Sequence, residues 1–130
     1  MPGPYVYANV DDLEGKPKVS TGSCAALVQY YRSVGKASGW VEGTVVKGNG
    51  NTIAKGTAIA TFVNGVYPNQ ASGNHAAFYI SQDANGIKVM DQWSSKASIG
   101  SRVLQFKGKN ADGTFKDPSN NGDAFSVIMT

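Results

Sequence analysis

Cys24 and His75 are the only cysteine and the only histidine of the chain. Together they could supply a nucleophile and a general base for acyl transfer. Cys24 follows Ser20-Thr21-Gly22-Ser23 and opens Ala25-Ala26-Leu27-Val28, so small polar residues give way to an apolar helical pattern. A thiol at a helix start meets unpaired N–H groups and the positive end of the macrodipole, which favour the thiolate and offer donors to an oxyanion. Gly22 removes bulk beside it. His75 opens the apolar run Ala76-Ala77-Phe78-Tyr79-Ile80, which reads as a buried strand with the ring at its lip. Taken singly, each residue has a plainer reading. A free cysteine is commonly a small buried hydrophobe, and a lone histidine at a strand end is commonly structural.

A base of this kind needs a partner on its other ring nitrogen. If residues 82–86 form a five-residue hairpin loop, Ser81 faces Ile87 and His75 faces Trp93. Asp91 then lies on the His75 face, diagonally adjacent at about 7–8 Å. A four-residue loop flips the parity and puts Gln92 there instead. Asp91 is favoured, because a carboxylate also stabilises the imidazolium. Ser23, Asn74, Gln92 and Trp93 flank these positions and are the candidate substrate contacts. Ser23 also suits an N-cap, and Trp93 suits either a groove wall or a core.

The elements that must position these groups follow from the pattern. Ala26, Leu27, Tyr30, Tyr31 and Val34 recur at helical spacing and predict a helix over Ser23–Val34, capped by Thr21 or Ser23 and stopped at Gly35. Asp11–Gly15 predicts a short helical turn, and Trp40–Val46 a loop followed by a short extended piece. Strands are predicted at Thr57–Val63, His75–Ser81, Ile87–Trp93, Arg102–Phe106 and Ala124–Met129. Asn64-Gly65 is the strongest hairpin signal. Residues 67–74, rich in Asn, Gln, Ser and Gly, predict a mobile rim over the cleft. The expected class is α+β, a helix packed on one face of an antiparallel meander, with residues 1–130 forming one domain.

Composition narrows the function. The chain is 41% hydrophobic and 16% charged with net charge +3, which describes a globular protein with scattered lysines rather than a nucleic-acid-binding stripe. No apolar run approaches the ~20 residues of a membrane span, and Met1–Tyr5 lacks the basic segment and apolar core of a secretory signal. One cysteine forms no internal disulfide. The sequence shows neither a Cys/His metal cluster nor a phosphate-binding glycine loop, so no cofactor is expected.

The order of cysteine on the first helix, histidine opening a core strand and a polar residue on the next strand resembles NlpC-type cell-wall peptidases and CHAP amidases. Asn74-His75-Ala76-Ala77-Phe78-Tyr79-Ile80 resembles their Gly-His-Val-Ala-Val-Tyr block, with asparagine in place of glycine. Lys55-Gly56-Thr57-Ala58-Ile59-Ala60 resembles their Pro-Gly-Asp strand without its proline and aspartate. The compact size, with Tyr5–Ala8, Ala58–Gly65 and Ser72–Ala76, is similar to the small type VI secretion amidase effectors. The resemblance implies a papain-like fold and hydrolysis of an amide in peptidoglycan stem peptides, either the D-glutamyl–diaminopimelate bond or the D-alanyl–diaminopimelate crosslink. It also implies Cys24, His75 and Asp91 as the triad, with a positioning tyrosine at Tyr5 or Tyr7, both of which read equally as core aromatics. Delivery by the type VI machinery would replace a signal peptide, with action in a recipient's periplasm and a cognate immunity protein as partner. Two other classes stay open: a non-catalytic binding module, expected to carry an unreactive thiol, and a cysteine transamidase or acyltransferase, expected to transfer to added amines.

Overall fold

The computed structural model describes residues 3–130. Met1 and Pro2, part of the segment read above for a secretory signal, lie outside the described residues. The architecture is α+β: one α-helix, α1 (Cys24–Tyr31), and a six-stranded antiparallel sheet. The strands are β1 (Val41–Val45), β2 (Ala58–Thr61), β3 (Ala76–Gln82), β4 (Gly86–Asp91), β5 (Gly100–Gln105) and β6 (Phe125–Met129).

Helix α1 starts where the sequence predicts and ends earlier. Ser23 is the N-cap, extended at φ −72° and ψ 161°, and its hydroxyl accepts from the Ala26 N–H at 3.4 Å. The chain turns extended at Arg32 instead of continuing to Val34. Tertiary partners explain the early stop. The Trp40 indole N–H donates to the Val34 carbonyl at 3.1 Å, and the Gln29 side chain donates to the Gly35 carbonyl at 3.1 Å. These bonds satisfy the exit segment in a non-helical path, and Val34 is still fully buried.

Strands β2 to β5 form the expected meander, but the sheet order is β1-β6-β2-β3-β4-β5. The sixth strand returns to lie between β1 and β2, pairing Ile128 with Glu42 on one side and Val127 with Ile59 on the other. A plain meander is therefore corrected. The Asn64-Gly65 turn forms with both residues at positive φ, but it closes only a local Val63–Val66 bridge. β2 meets β3 after the longer excursion through the rim.

The helix packs on one face of the sheet as expected, and the other face is covered as well. Alternation sends Ala58, Ala60, Phe78, Met90 and Ile128 into a core with Leu27 and Val28 of α1. Their neighbours Ile59, Tyr79, Val89 and Val127 join a second core with Val46, Ile53 and Phe125. Two buried faces account for the nearly unbroken apolar run in β2.

The β3–β4 register decides what stands beside His75. Gln82 opposes Ile87, so the turn holds four residues, the case whose parity would favour Gln92. A bulge between Tyr79 and Ser81 then inserts one residue into β3 and restores the parity, so that Tyr79 faces Val89 and Phe78 faces Met90. Two departures from the simple hairpin cancel, and Asp91 lies on the His75 face.

Candidate active site

His75 stands just before β3, held by backbone bonds to β2. Its N–H donates to Thr61 Oγ1 at 3.0 Å, and its carbonyl accepts from the Thr61 N–H at 3.0 Å. With the main chain fixed, the ring reaches Asp91 across the strand pair, and His75 Nε2 lies 2.8 Å from Asp91 Oδ2. That contact leaves Nδ1 for the thiol of Cys24, with which the ring also interacts side chain to side chain.

Asp91 is fully buried, and a carboxylate there requires compensation. Besides His75, it accepts from Arg102 Nε at 2.7 Å and from Lys96 Nζ at 2.8 Å. The β4–β5 register explains the Arg102 contact. Val89 faces Arg102 and Asp91 faces Gly100, so Arg102 is the diagonal neighbour of Asp91 on the same face. Gly100 leaves room for the Glu14 carboxylate beside this network, since a Cβ there would lie 2.9 Å from Glu14 Oε2. Burial pushes the Asp91 carboxyl up, but the hydrogen bond and charge of His75 outweigh it, with Lys96 and Arg102 adding, and bring it down to about 2.

The thiol and imidazole shift each other. Burial raises the Cys24 pKa, but the His75 hydrogen bond and charge, the Ala76 N–H and the Tyr67 hydroxyl bring it below the usual thiol value. Burial lowers His75, and the opposing bonds to Asp91 and Cys24 lift it above the usual imidazole value. Both directions favour a thiolate–imidazolium pair.

The Tyr67 hydroxyl lies 3.8 Å from Cys24 Sγ. It is buried against Trp40, ring centroids 4.8 Å apart, and it accepts from Asn74 Nδ2 at 3.2 Å. Burial, then the adjacent thiol, raises its pKa, so the hydroxyl keeps its proton and can donate to sulfur. The expected positions for such a tyrosine are corrected. Tyr5 pairs with Thr130 at 2.5 Å, and Tyr7 packs on Tyr31 and Phe78. In sequence Tyr67 is one more aromatic before a polar loop, and no local pattern marks its hydroxyl.

A cleft of about 450 Å³ opens over these groups, lined by Cys24, His75, Ser23, Trp93 and Arg102 together with the rim at 67 and 69–74. Of the four candidate contacts, Ser23, Asn74 and Trp93 line it. Asn74 also ties the rim, accepting from the Gln70 N–H at 2.6 Å. Gln92 does not line it, and its expected role is corrected. It is fully buried, accepts from the Val19 N–H at 3.0 Å and donates to the Val19 and Ser23 carbonyls at 3.1 and 2.8 Å. Those bonds make it a strut that fixes the start of α1 against β4. Sequence reasoning missed Tyr67, Arg102 and Lys96. Among the described residues, no cluster of three or more His, Cys, Asp or Glu side chains is placed to hold a metal ion.

Residues 6–128 match the family described as domesticated amidase effector 2. The chain belongs to that family. It is 47% identical to a type VI secretion amidase effector 2 protein of Salmonella typhi, over 96% of this chain and 98% of that protein. It is 38% identical to domesticated amidase effector 2 of Ixodes scapularis, over 68% of this chain and 56% of that one. Among solved structures it is similar to type 6 secretion amidase effector 2, with TM-score 0.90, 45% identity, and coverage of 97% of this chain and 94% of that chain. That likeness extends to the one-helix, six-strand architecture. No helix among the described residues is long and apolar enough to cross a membrane.

Proposed function

We propose that the chain is a cysteine amidase on a papain-like scaffold of the NlpC/CHAP type, working as one domain and hydrolysing an amide bond of peptidoglycan. The observation that carries this reading is the buried Asp91–His75 pair beside the lone thiol, in a chain of the amidase effector 2 family.

In this mechanism the Cys24 thiolate attacks the amide carbonyl. The Cys24 and Ala25 N–H groups precede any i−4 carbonyl in α1 and are free to hold the oxyanion. The tetrahedral intermediate collapses as His75 gives its proton to the departing amine nitrogen, leaving a thioester on Cys24. Neutral His75 then takes a proton from water as the hydroxide adds to the thioester. Collapse expels the thiolate and returns the imidazolium, with the acid released. Asp91 holds the ring in orientation throughout, and the Tyr67 hydroxyl supports the thiolate between cycles.

The delivery route and surroundings follow the relatives. Their names as type VI secretion amidase effectors support export by that machinery and action on target bacteria. The proposal adds the recipient's periplasm as the place of action and a cognate immunity protein in the producer. The test is digestion of purified Gram-negative peptidoglycan by wild type and Cys24→Ala, with muropeptides resolved by chromatography and mass spectrometry. Wild type alone is expected to consume a specific species and reveal its bond. An unchanged profile with folded wild-type protein would overturn the reading.

A further inference from the structure

The residues lining the cleft include no aspartate or glutamate, and outside the Cys24–His75 pair Arg102 is the single charged side chain among them. Behind it, Asp91 is fully buried, and its charge is matched by Lys96. With Cys24 and His75 as an ion pair, the formal sum leaves the guanidinium as one positive charge in excess, facing the cleft.

That guanidinium is held rigidly. Nε donates to Asp91 Oδ2 at 2.7 Å, Nη1 donates to Asn120 Oδ1 at 2.8 Å, and the central carbon sits 4.7 Å above the Trp93 ring. Nη2 lies 3.4 Å from His75 Nε2. When His75 is an imidazolium both atoms carry protons, so no bond forms between them. N–H groups on Nη1 and Nη2 therefore remain without an acceptor among the described residues, on a side chain that is 26% exposed. A planar fork with two free donors, fixed beforehand and backed by an aromatic ring, matches a carboxylate.

We propose that Arg102 is a specificity residue that binds a free carboxylate on the substrate unit adjoining the scissile amide. The proposal rests on the amidase reading and narrows its substrate to an amide flanked by an acid. The fork stands 3.4 Å from His75 Nε2, and His75 pairs with Cys24, so an acid held there belongs to the substrate unit adjoining the scissile amide. The competing role is purely structural: Arg102 holds Asp91 and never meets substrate.

The two roles separate with paired substrates. The probes are two stem-peptide fragments with the same scissile amide, the diaminopimelate carboxylate beside it being free in one and a carboxamide in the other. Wild type is expected to prefer the free acid by about 10–100-fold in kcat/KM, the worth of a hydrogen bond to a charged group. In Arg102→Gln the preference disappears, chiefly through a raised KM for the acid, whatever the lowered common rate. Arg102→Lys keeps a cation beside Asp91 without the fork and is expected to retain part of the preference, and melting curves confirm that each variant folds. No preference in wild type, or a preference that survives in Arg102→Gln or is undiminished in Arg102→Lys, overturns the proposal. If wild type cleaves neither fragment, the amidase reading fails on these probes. Calorimetric binding of both fragments to Cys24→Ala then decides: tighter binding of the acid sustains the carboxylate site, and equal or absent binding ends it.

Discussion

At the scale of single residues the chemistry turns on opposed pKa shifts. Cys24 lies below and His75 above their ordinary values, and both shifts favour the ion pair. Iodoacetamide labelling of Cys24 is expected to start at lower pH than in denatured protein, and hydrolysis to fall on the acid side as the thiolate takes a proton and on the basic side as His75 loses one. A labelling curve that overlays the denatured one would remove the pair. The stability signs follow by linkage. The His75 contribution is full below its unfolded value of 6.5 and is lost as pH rises through the raised folded value. The Cys24 contribution is full above 9.0 and is lost as pH falls through the lowered one. The Asp91 contribution is full above 3.8 and is lost as pH falls toward about 2. Asp91→Ala strands Arg102 and Lys96 around an empty site, so urea unfolding should show a loss of about 3–5 kcal/mol. Tyr67→Phe removes the donor to sulfur and the acceptor of the half-buried Asn74 amide, so the labelling curve should move to higher pH with only a small fall in melting temperature.

At the scale of elements, local signals predict the groups, and long-range pairing decides how they meet. Cys24 and His75 were legible because a capped helix start and an apolar strand each mark a position within a few residues. Asp91 was legible only through register, and there the four-residue turn and the bulge between Tyr79 and Ser81 offset each other. Nothing in Phe78-Tyr79-Ile80-Ser81 announces a bulge. Arg102 and Lys96 needed the β4–β5 alignment, and Tyr67 needed the path of the rim. Gln92 was legible as a polar residue near the site but not as a strut, since its partners are 69 and 73 residues away in sequence. Gln92→Leu keeps the volume and takes away the partner of the Val19 N–H and of the Val19 and Ser23 carbonyls, so it should cost about 1–3 kcal/mol per stranded group in urea unfolding. It should also slow Cys24 labelling, because the helix start that carries the thiol loses its tie to β4. Unchanged labelling would mean that the strut does not position the nucleophile.

At the scale of the whole molecule, the second core is the feature that one helix and a meander did not foretell. Phe125 is fully buried on the face away from α1, and its ring lies 6.3 Å from that of His75, edge to face. Phe125→Ala should therefore cost about 3–5 kcal/mol by leaving a cavity, and should also loosen His75, visible as a broadened imidazole resonance. A sharp, unmoved His75 signal in that variant would show that the catalytic face is supported from the helix side alone. Fold class, by contrast, was readable early, since one helical pattern is followed by a series of short apolar, strand-like runs separated by turn residues.

The place of β6 between β1 and β2 also makes it the keystone of the sheet. It follows the other strands in chain order yet occupies an interior place, and pairings so distant in sequence form slowly. A chain in which Phe125–Met129 has not docked leaves one edge of β2 bare and β1 without its partner. Closure of the sheet around β6 is therefore expected to be a late event in folding.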